Sequence, residues 1–167
     1  MSLRGRFLRP TSYAARIEEI DIDALRSDGV RAVIIDLDNT LVGYRLEEPD
    51  AKVAAWIEKA KQNELQAIIL TNNATEWALK TAENLHVPCI PNARKPLLRG
   101  FYAALKALGT SSDDTIVIGD QIFTDVLGAK RFGMKVILTE PIVAREQWWM
   151  RLTRFLERLV LYRAPRT

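Results

Sequence analysis

Four short stretches of this chain gather the side chains that could do chemistry: Asp36-Leu37-Asp38-Asn39-Thr40, Thr71-Asn72-Asn73, Asn92-Ala93-Arg94-Lys95-Pro96 and Gly119-Asp120-Gln121, with Asp125 one helical turn on. Together they supply carboxylates, one lysine and small hydrogen-bonding groups. Several oxygen ligands without paired Cys or His favour a hard divalent ion, Mg²⁺ before Zn²⁺. Such an ion cancels the repulsion between carboxylates and an incoming phosphate. One carboxylate is then free to attack phosphorus and form an aspartyl-phosphate. A second, two residues away, can protonate the leaving alkoxide and later activate water. Thr71 and backbone N–H groups at a helix start can hold phosphoryl oxygens. Lys95 can neutralise the charge that develops on them. Taken alone, Asp36 and Asp38 read as loop or helix caps; Lys95, Thr71 and Asp120 in company shift the reading to a site.

The elements that must position these groups are legible from periodicity. Residues 31–36 (RAVIID), 65–70 (LQAIIL), 115–119 (TIVIG) and 134–138 (MKVIL) are short apolar runs that read as buried strands. Residues 87–90 (VPCI) read as a further short strand, with Pro88 favouring a sheet edge. Between them the spacing predicts helices over about 51–62, capped by Asp50, over 74–85, between Pro96 and Gly109, and over 122–132, stopped by Gly133. Five strands alternating with helices predict an α/β fold: a Rossmann-like parallel sheet of about five strands with helices on both faces. Ligands of such sheets bind at the carboxyl ends of the strands, and all four chemical stretches follow strands.

Length and composition set the frame. The chain has 167 residues and a mass of 19.0 kDa, 48% hydrophobic and 27% charged, which fits one domain with a real core and excludes global disorder. No apolar run approaches a membrane span, and the first residues lack a signal-peptide core. A single cysteine, Cys89, excludes an internal disulfide framework and a multi-Cys zinc site, so a cytoplasmic compartment is expected. Cys89 itself reads as core, His86 as structural, and Trp56 and Trp77 as packing residues. The net charge of +3 lies at the ends: three arginines fall in residues 1–10, and six arginines against two glutamates in 145–167. Basic ends on an acidic middle suit either solubility or an anionic partner surface.

The motifs DLDNT (36–40), LTNN (70–73), ARKP (93–96) and GDQIFTDV (119–126), in that order, resemble those of the haloacid dehalogenase phosphatases of subclass IIIA. The lead-in with Pro10, Tyr13 and IEEIDIDALRSDGVRAVIIDLDNTLV is similar to the narrower bacterial group of YqeG type, related to mitochondrial phosphatidylglycerophosphate phosphatases. The resemblance implies that Asp36 is the nucleophile and Asp38 the general acid/base, with its main-chain carbonyl a metal ligand. It implies that Thr71 and the Asn72 backbone N–H bind the phosphoryl group and that Lys95 stabilises the aspartyl-phosphate. Asp36, Asp38 and Asp120 would hold Mg²⁺. Asp125 would stand behind them, fixing Lys95 or a metal-bound water, and Thr40 would brace the loop.

The domain reading is a basic lead-in over 1–24, a catalytic core over 25–143 and a basic amphipathic helix and tail over 144–167. The 30 residues between Thr40 and Thr71 and the 21 between Asn73 and Lys95 are too few for a cap domain. An open site suits a phosphate displayed on something large. In a helix over 144–162, Trp148, Leu152, Phe155, Leu159 and Tyr162 share a face, with Arg151, Arg154 and Arg158 at its side. That pattern fits a membrane interface, and equally a helix packed on the domain or on a second copy. The expected activity is Mg²⁺-dependent hydrolysis of phosphatidylglycerophosphate, with peripheral contact between the basic ends and the inner face of the cell membrane. No nucleic-acid partner is expected, and an oligomer is left open. The alternatives are a soluble nucleotide, sugar phosphate or phosphoprotein as substrate, and a non-catalytic protein binding RNA or anionic surfaces.

Overall fold

The computed structural model describes residues 7–43 and 48–143. Its centre is a six-stranded, wholly parallel sheet of β1 (Ser12–Ala14), β2 (Ala32–Ile35), β3 (Gln66–Leu70), β4 (Cys89–Ile90), β5 (Thr115–Gly119) and β6 (Lys135–Thr139), in the order β1-β6-β5-β2-β3-β4. The helices are α1 (Ile22–Ser27), α2 (Ala51–Gln62), α3 (Glu76–Asn84), α4 (Leu98–Leu108) and α5 (Leu127–Arg131).

Strand residues alternate between two buried faces, because each successive side chain points to the opposite side of the sheet. Val33, Ile35, Ile69, Ile116 and Ile118 join a core with α1, α2 and α3. Ile34, Ile68, Leu70, Val117 and Val136 join a second core with α4 and α5 around Phe101. Burial on both faces is why these strands read as continuous apolar runs. Trp56 is a core residue whose indole N–H donates to the Ile20 carbonyl at 2.8 Å. The helix starts are fixed by side chains: Asp50 accepts from the Lys52 N–H at 2.8 Å and Thr75 from the Ala78 N–H at 3.3 Å. α4 ends at Gly109, whose φ of 65° is the left-handed turn that glycine takes without steric cost.

The sheet has six strands where the sequence predicts about five. The sixth is β1, three residues with Ser12 and Tyr13 exposed, too short and too polar to show as an apolar run. Long-range pairing holds it: the Thr11 N–H donates to the Val136 carbonyl at 2.8 Å, and the Lys130 ammonium to Thr11 Oγ1 at 2.8 Å. The 87–90 run contracts to Cys89–Ile90, at the sheet edge that Pro88 favours. The helix expected to start at Pro96 starts at Leu98. The 122–132 helix is two pieces, a π-helical turn over Ile122–Val126 and then α5. The amphipathic helix expected over 144–162 and the basic residues 1–6 lie outside the described residues.

Candidate active site

Sheet register brings the chemistry together. Ile35 pairs with both Ile69 and Ile118, so Asp36 emerges level with Leu70 and Gly119, and Thr71 and Asp120 lie one residue beyond. Asp36 still belongs to the ladder, its N–H donating to the Ile118 carbonyl at 2.9 Å. The chain then folds back tightly: Leu41 and Val42 N–H donate to the Leu37 carbonyl, and the Asn39 N–H to the Val42 carbonyl at 2.7 Å. Asn39 takes a φ of 64°, a left-handed conformation that asparagine tolerates better than most residues.

Lys95 is the hub. Its ammonium lies 2.7 Å from Asp36 Oδ1 and 2.6 Å from Asp125 Oδ1, and all three side chains are buried. Burial opposes the lysine's charge, but Asp125 and Asp36 outweigh that and hold its pKa above the ordinary lysine value. Lys95 is therefore a fixed cation at neutral pH, neither base nor nucleophile. Asp125 is affected in the opposite way. Burial pushes its carboxyl up to about 6, with Lys95 opposing and the charge of Asp36 adding to the rise. One ammonium shared by two buried carboxylates does not neutralise both.

Asp120 completes the cluster. Asp36, Asp120 and Asp125 each offer a carboxylate oxygen within 4.8 Å of the other two, and all three are buried. This all-oxygen, multiply anionic set fits a hard divalent cation. Asp125, expected to fix Lys95 or a metal-bound water from behind the metal site, contacts Lys95 and also offers an oxygen to this carboxylate group. The Asp38 carboxylate is engaged elsewhere, accepting from Thr71 Oγ1 and from Asn73 Nδ2, both at 3.3 Å. Thr71 is fully buried and its hydroxyl oxygen also accepts the Asn73 N–H at 3.0 Å. Thr40 is buried, and its hydroxyl has no hydrogen-bond partner among the described residues.

Several positioning groups were not foreseen. The Asn72 side chain clamps the backbone of Lys95: Oδ1 accepts the Lys95 N–H at 2.6 Å, and Nδ2 donates to the Lys95 carbonyl at 3.2 Å. Its expected contribution was a backbone N–H alone. Asn73 orients Asp38 and, through its own Oδ1, accepts from Thr75 at the start of α3. The Gln121 N–H and the Thr124 hydroxyl donate to Asp125 Oδ2 at 3.2 and 3.3 Å. Asn73 stands among the hydrogen-bonding groups of the LTNN stretch, but its contacts with Asp38 and Thr75 are not marked there. Nothing in the local sequence marks the Asn72 clamp.

Gly119 is required by Asp125. A Cβ at position 119 would sit 2.5 Å from Asp125 Cγ. Gly119→Ala is expected to displace Asp125, cost about 1–3 kcal/mol of stability through overpacking, and lower kcat about a hundredfold. A melting curve and turnover of a soluble phosphate ester check both effects.

The residues read as structural stay away from this cluster in role. His86 is exposed, its Nδ1 2.8 Å from the Glu83 carbonyl oxygen at the end of α3. Cys89 lies on edge strand β4, and burial pushes its thiol up to about 11. Its alkylation by iodoacetamide at pH 8 is expected to run roughly tenfold or more slower in the folded protein than in guanidinium. Equal rates, read by intact mass, would show that the fold does not suppress the thiolate.

A parallel doubly wound sheet, with clustered aspartates and a buried lysine at its carboxyl edge, defines a hydrolase of the phosphatase type. The chain belongs to the haloacid dehalogenase-like hydrolase family, whose model matches residues 6–133. It is 33% identical over 156 residues to the probable phosphatase YqeG of Bacillus subtilis, covering 93% of this chain and 91% of that one. It is 27% identical over 175 residues to phosphatidylglycerophosphate phosphatase 1, chloroplastic/mitochondrial, of Arabidopsis thaliana, covering 95% of this chain and 48% of that protein. Among solved structures it shares its fold with the cobalt-bound deoxy-D-mannose-octulosonate 8-phosphate phosphatase of Haemophilus influenzae, at a TM-score of 0.50 and 16% identity, covering 56% of this chain and 60% of the other. No described helix is long and apolar enough to cross a membrane.

Proposed function

We propose that this enzyme is a Mg²⁺-dependent phosphomonoesterase that works through an aspartyl-phosphate on Asp36, with phosphatidylglycerophosphate as its substrate and phosphatidylglycerol as product. The observation that carries the chemistry is the Lys95 ammonium held between Asp36 and Asp125, with Asp120 in the same cluster. Mg²⁺ held by Asp36, Asp120 and Asp125, with the Asp38 carbonyl, would supply the positive charge that lets a phosphate dianion approach this many carboxylates.

Lys95 engages Oδ1 of Asp36, which leaves Oδ2 as the attacking atom. A new Oδ2–P bond forms as the P–O bond to the alkoxide breaks. Asp38, oriented by Thr71 and Asn73, gives its proton to the leaving oxygen. It then takes a proton from the water that attacks phosphorus, releasing inorganic phosphate and restoring Asp36. Lys95 stabilises the negative charge on the transferring group throughout, and Asn72 keeps Lys95 at the right height by holding its backbone.

The lipid substrate rests on the similarity to the Arabidopsis phosphatidylglycerophosphate phosphatase and on the lack of an element inserted over the site among the described residues. The test is phosphate release from phosphatidylglycerophosphate in mixed micelles with Mg²⁺, beside a panel of soluble phosphate esters. Release from the lipid well above any soluble ester is expected. Release from soluble esters alone would discard the lipid substrate and keep the mechanism.

A further inference from the structure

The described residues have eight exposed large hydrophobic side chains, and four of them stand on the segments that deliver Lys95 and Asp125. Leu97 (54% exposed), Leu98 (37%) and Tyr102 (64%) lie at the start and on the first turns of α4, just after Lys95. Phe123 (40%) lies in the π-helical turn, two residues before Asp125. Lys95 and Asp125 touch at 2.6 Å, so these two segments are neighbours at the carboxyl edge. They also lead into helices that pack on the same face of the sheet, around Phe101. Arg94 and Arg99 are exposed on the same segment, and neither has an ion-pair partner among the described residues.

We propose that this rim, with Arg94, Leu97, Leu98, Arg99, Tyr102 and Phe123, is the surface on which the enzyme docks onto an anionic phospholipid layer. Exposed leucines and aromatic rings beside unpaired arginines match a layer that is apolar below and negatively charged at its headgroups. The placement is functional as well as complementary. The rim residues stand on the segments that carry Lys95 and Asp125, so docking by them would bring the phosphoryl site to headgroups without extracting the lipid. The residues of this surface are distinct in sequence from the basic ends of the chain. It rests on the lipid-phosphate reading of the substrate given above, and its test separates the two.

The experiment is co-sedimentation of the full chain with phosphatidylcholine vesicles, with and without phosphatidylglycerol. It compares wild type, a Leu97→Glu/Leu98→Glu double variant and an Arg94→Gln/Arg99→Gln double variant. Glutamate at a helix start does not oppose folding, and turnover of a soluble phosphate ester reports that each variant retains its site. Wild type is expected to bind the anionic vesicles. The leucine variant is expected to bind them at least about tenfold more weakly, and the arginine variant to lose roughly fivefold per arginine, both with kcat on a saturating soluble ester unchanged. Wild-type binding that neither variant weakens would overturn the proposal, as would no vesicle binding by wild type. Self-association relieved by the leucine variant, without vesicle binding, would assign the rim to a second copy and also overturn it. Vesicle binding without phosphate release from phosphatidylglycerophosphate would keep the docking surface and discard the substrate. Release from that lipid with undiminished variant binding would do the reverse.

Discussion

Asp36→Asn is expected to lower turnover by about a thousandfold or more on every phosphate ester the enzyme accepts. The amide is nearly isosteric with the carboxylate but lacks the anionic oxygen that must form the bond to phosphorus. The loss should fall on kcat for soluble and lipid substrates alike, because the defect is in the bond-making atom and not in substrate recognition. Asp36 is 4% exposed, and asparagine can still accept a hydrogen bond from Lys95, so the fold should survive. Phosphate release and a melting curve on the same preparation separate lost chemistry from lost folding. Turnover at the wild-type rate would remove Asp36 from the mechanism.

Lys95→Met is expected to act on both activity and stability. Removing the fixed cation deprives the transferring phosphoryl group of its stabilising charge, for a loss of about a hundredfold to a thousandfold in kcat. It also leaves Asp36 and Asp125 buried without their ammonium, and breaking a buried pair from one side costs about 3–5 kcal/mol. The pH dependence of that cost has a definite sign. Asp125 already sits at about 6 because burial outweighs the pull of Lys95, and loss of Lys95 removes the influence that lowers it. A carboxyl whose folded pKa exceeds its unfolded value loses stability as pH rises above the unfolded value, near 4. The metal-free variant should therefore melt close to wild type near pH 4 and fall progressively below it as pH rises past 6. A melting deficit that shrinks with rising pH would contradict the buried-pair assignment.

The large features of this molecule were legible because they rest on local patterns. Strands buried on both faces announce themselves as apolar runs, and Asp50 caps its helix where the sequence puts it. The four chemical stretches were legible because each follows a strand, and parallel register brings such positions to one edge. The features that escaped depend on partners far away in sequence. β1 exists through its pairing with β6, 125 positions further along at Thr11 and Val136. The Asn72 clamp on Lys95 spans 23 positions, and the role of Gly119 appears once Asp125 is seen against its Cα. The π-helical turn at Ile122–Val126 has the same apolar content as an α-helix, so periodicity does not distinguish them. Asp125 lies in that turn and in the carboxylate cluster.

The most direct measurement is the location of a trapped phosphoryl group. The Asp38→Asn variant is mixed with Mg²⁺ and p-nitrophenyl phosphate, a substrate whose leaving group departs without a proton, then quenched in acid and digested. Asp38 is the group that activates water, so the covalent intermediate should accumulate in its absence. The expected result is a hydroxylamine-sensitive phosphoryl group on the peptide containing Asp36, with fragmentation assigning it to that residue. A steady release of p-nitrophenol with no phosphoryl group on Asp36, or with the group on another side chain, would contradict an aspartyl-phosphate at this site.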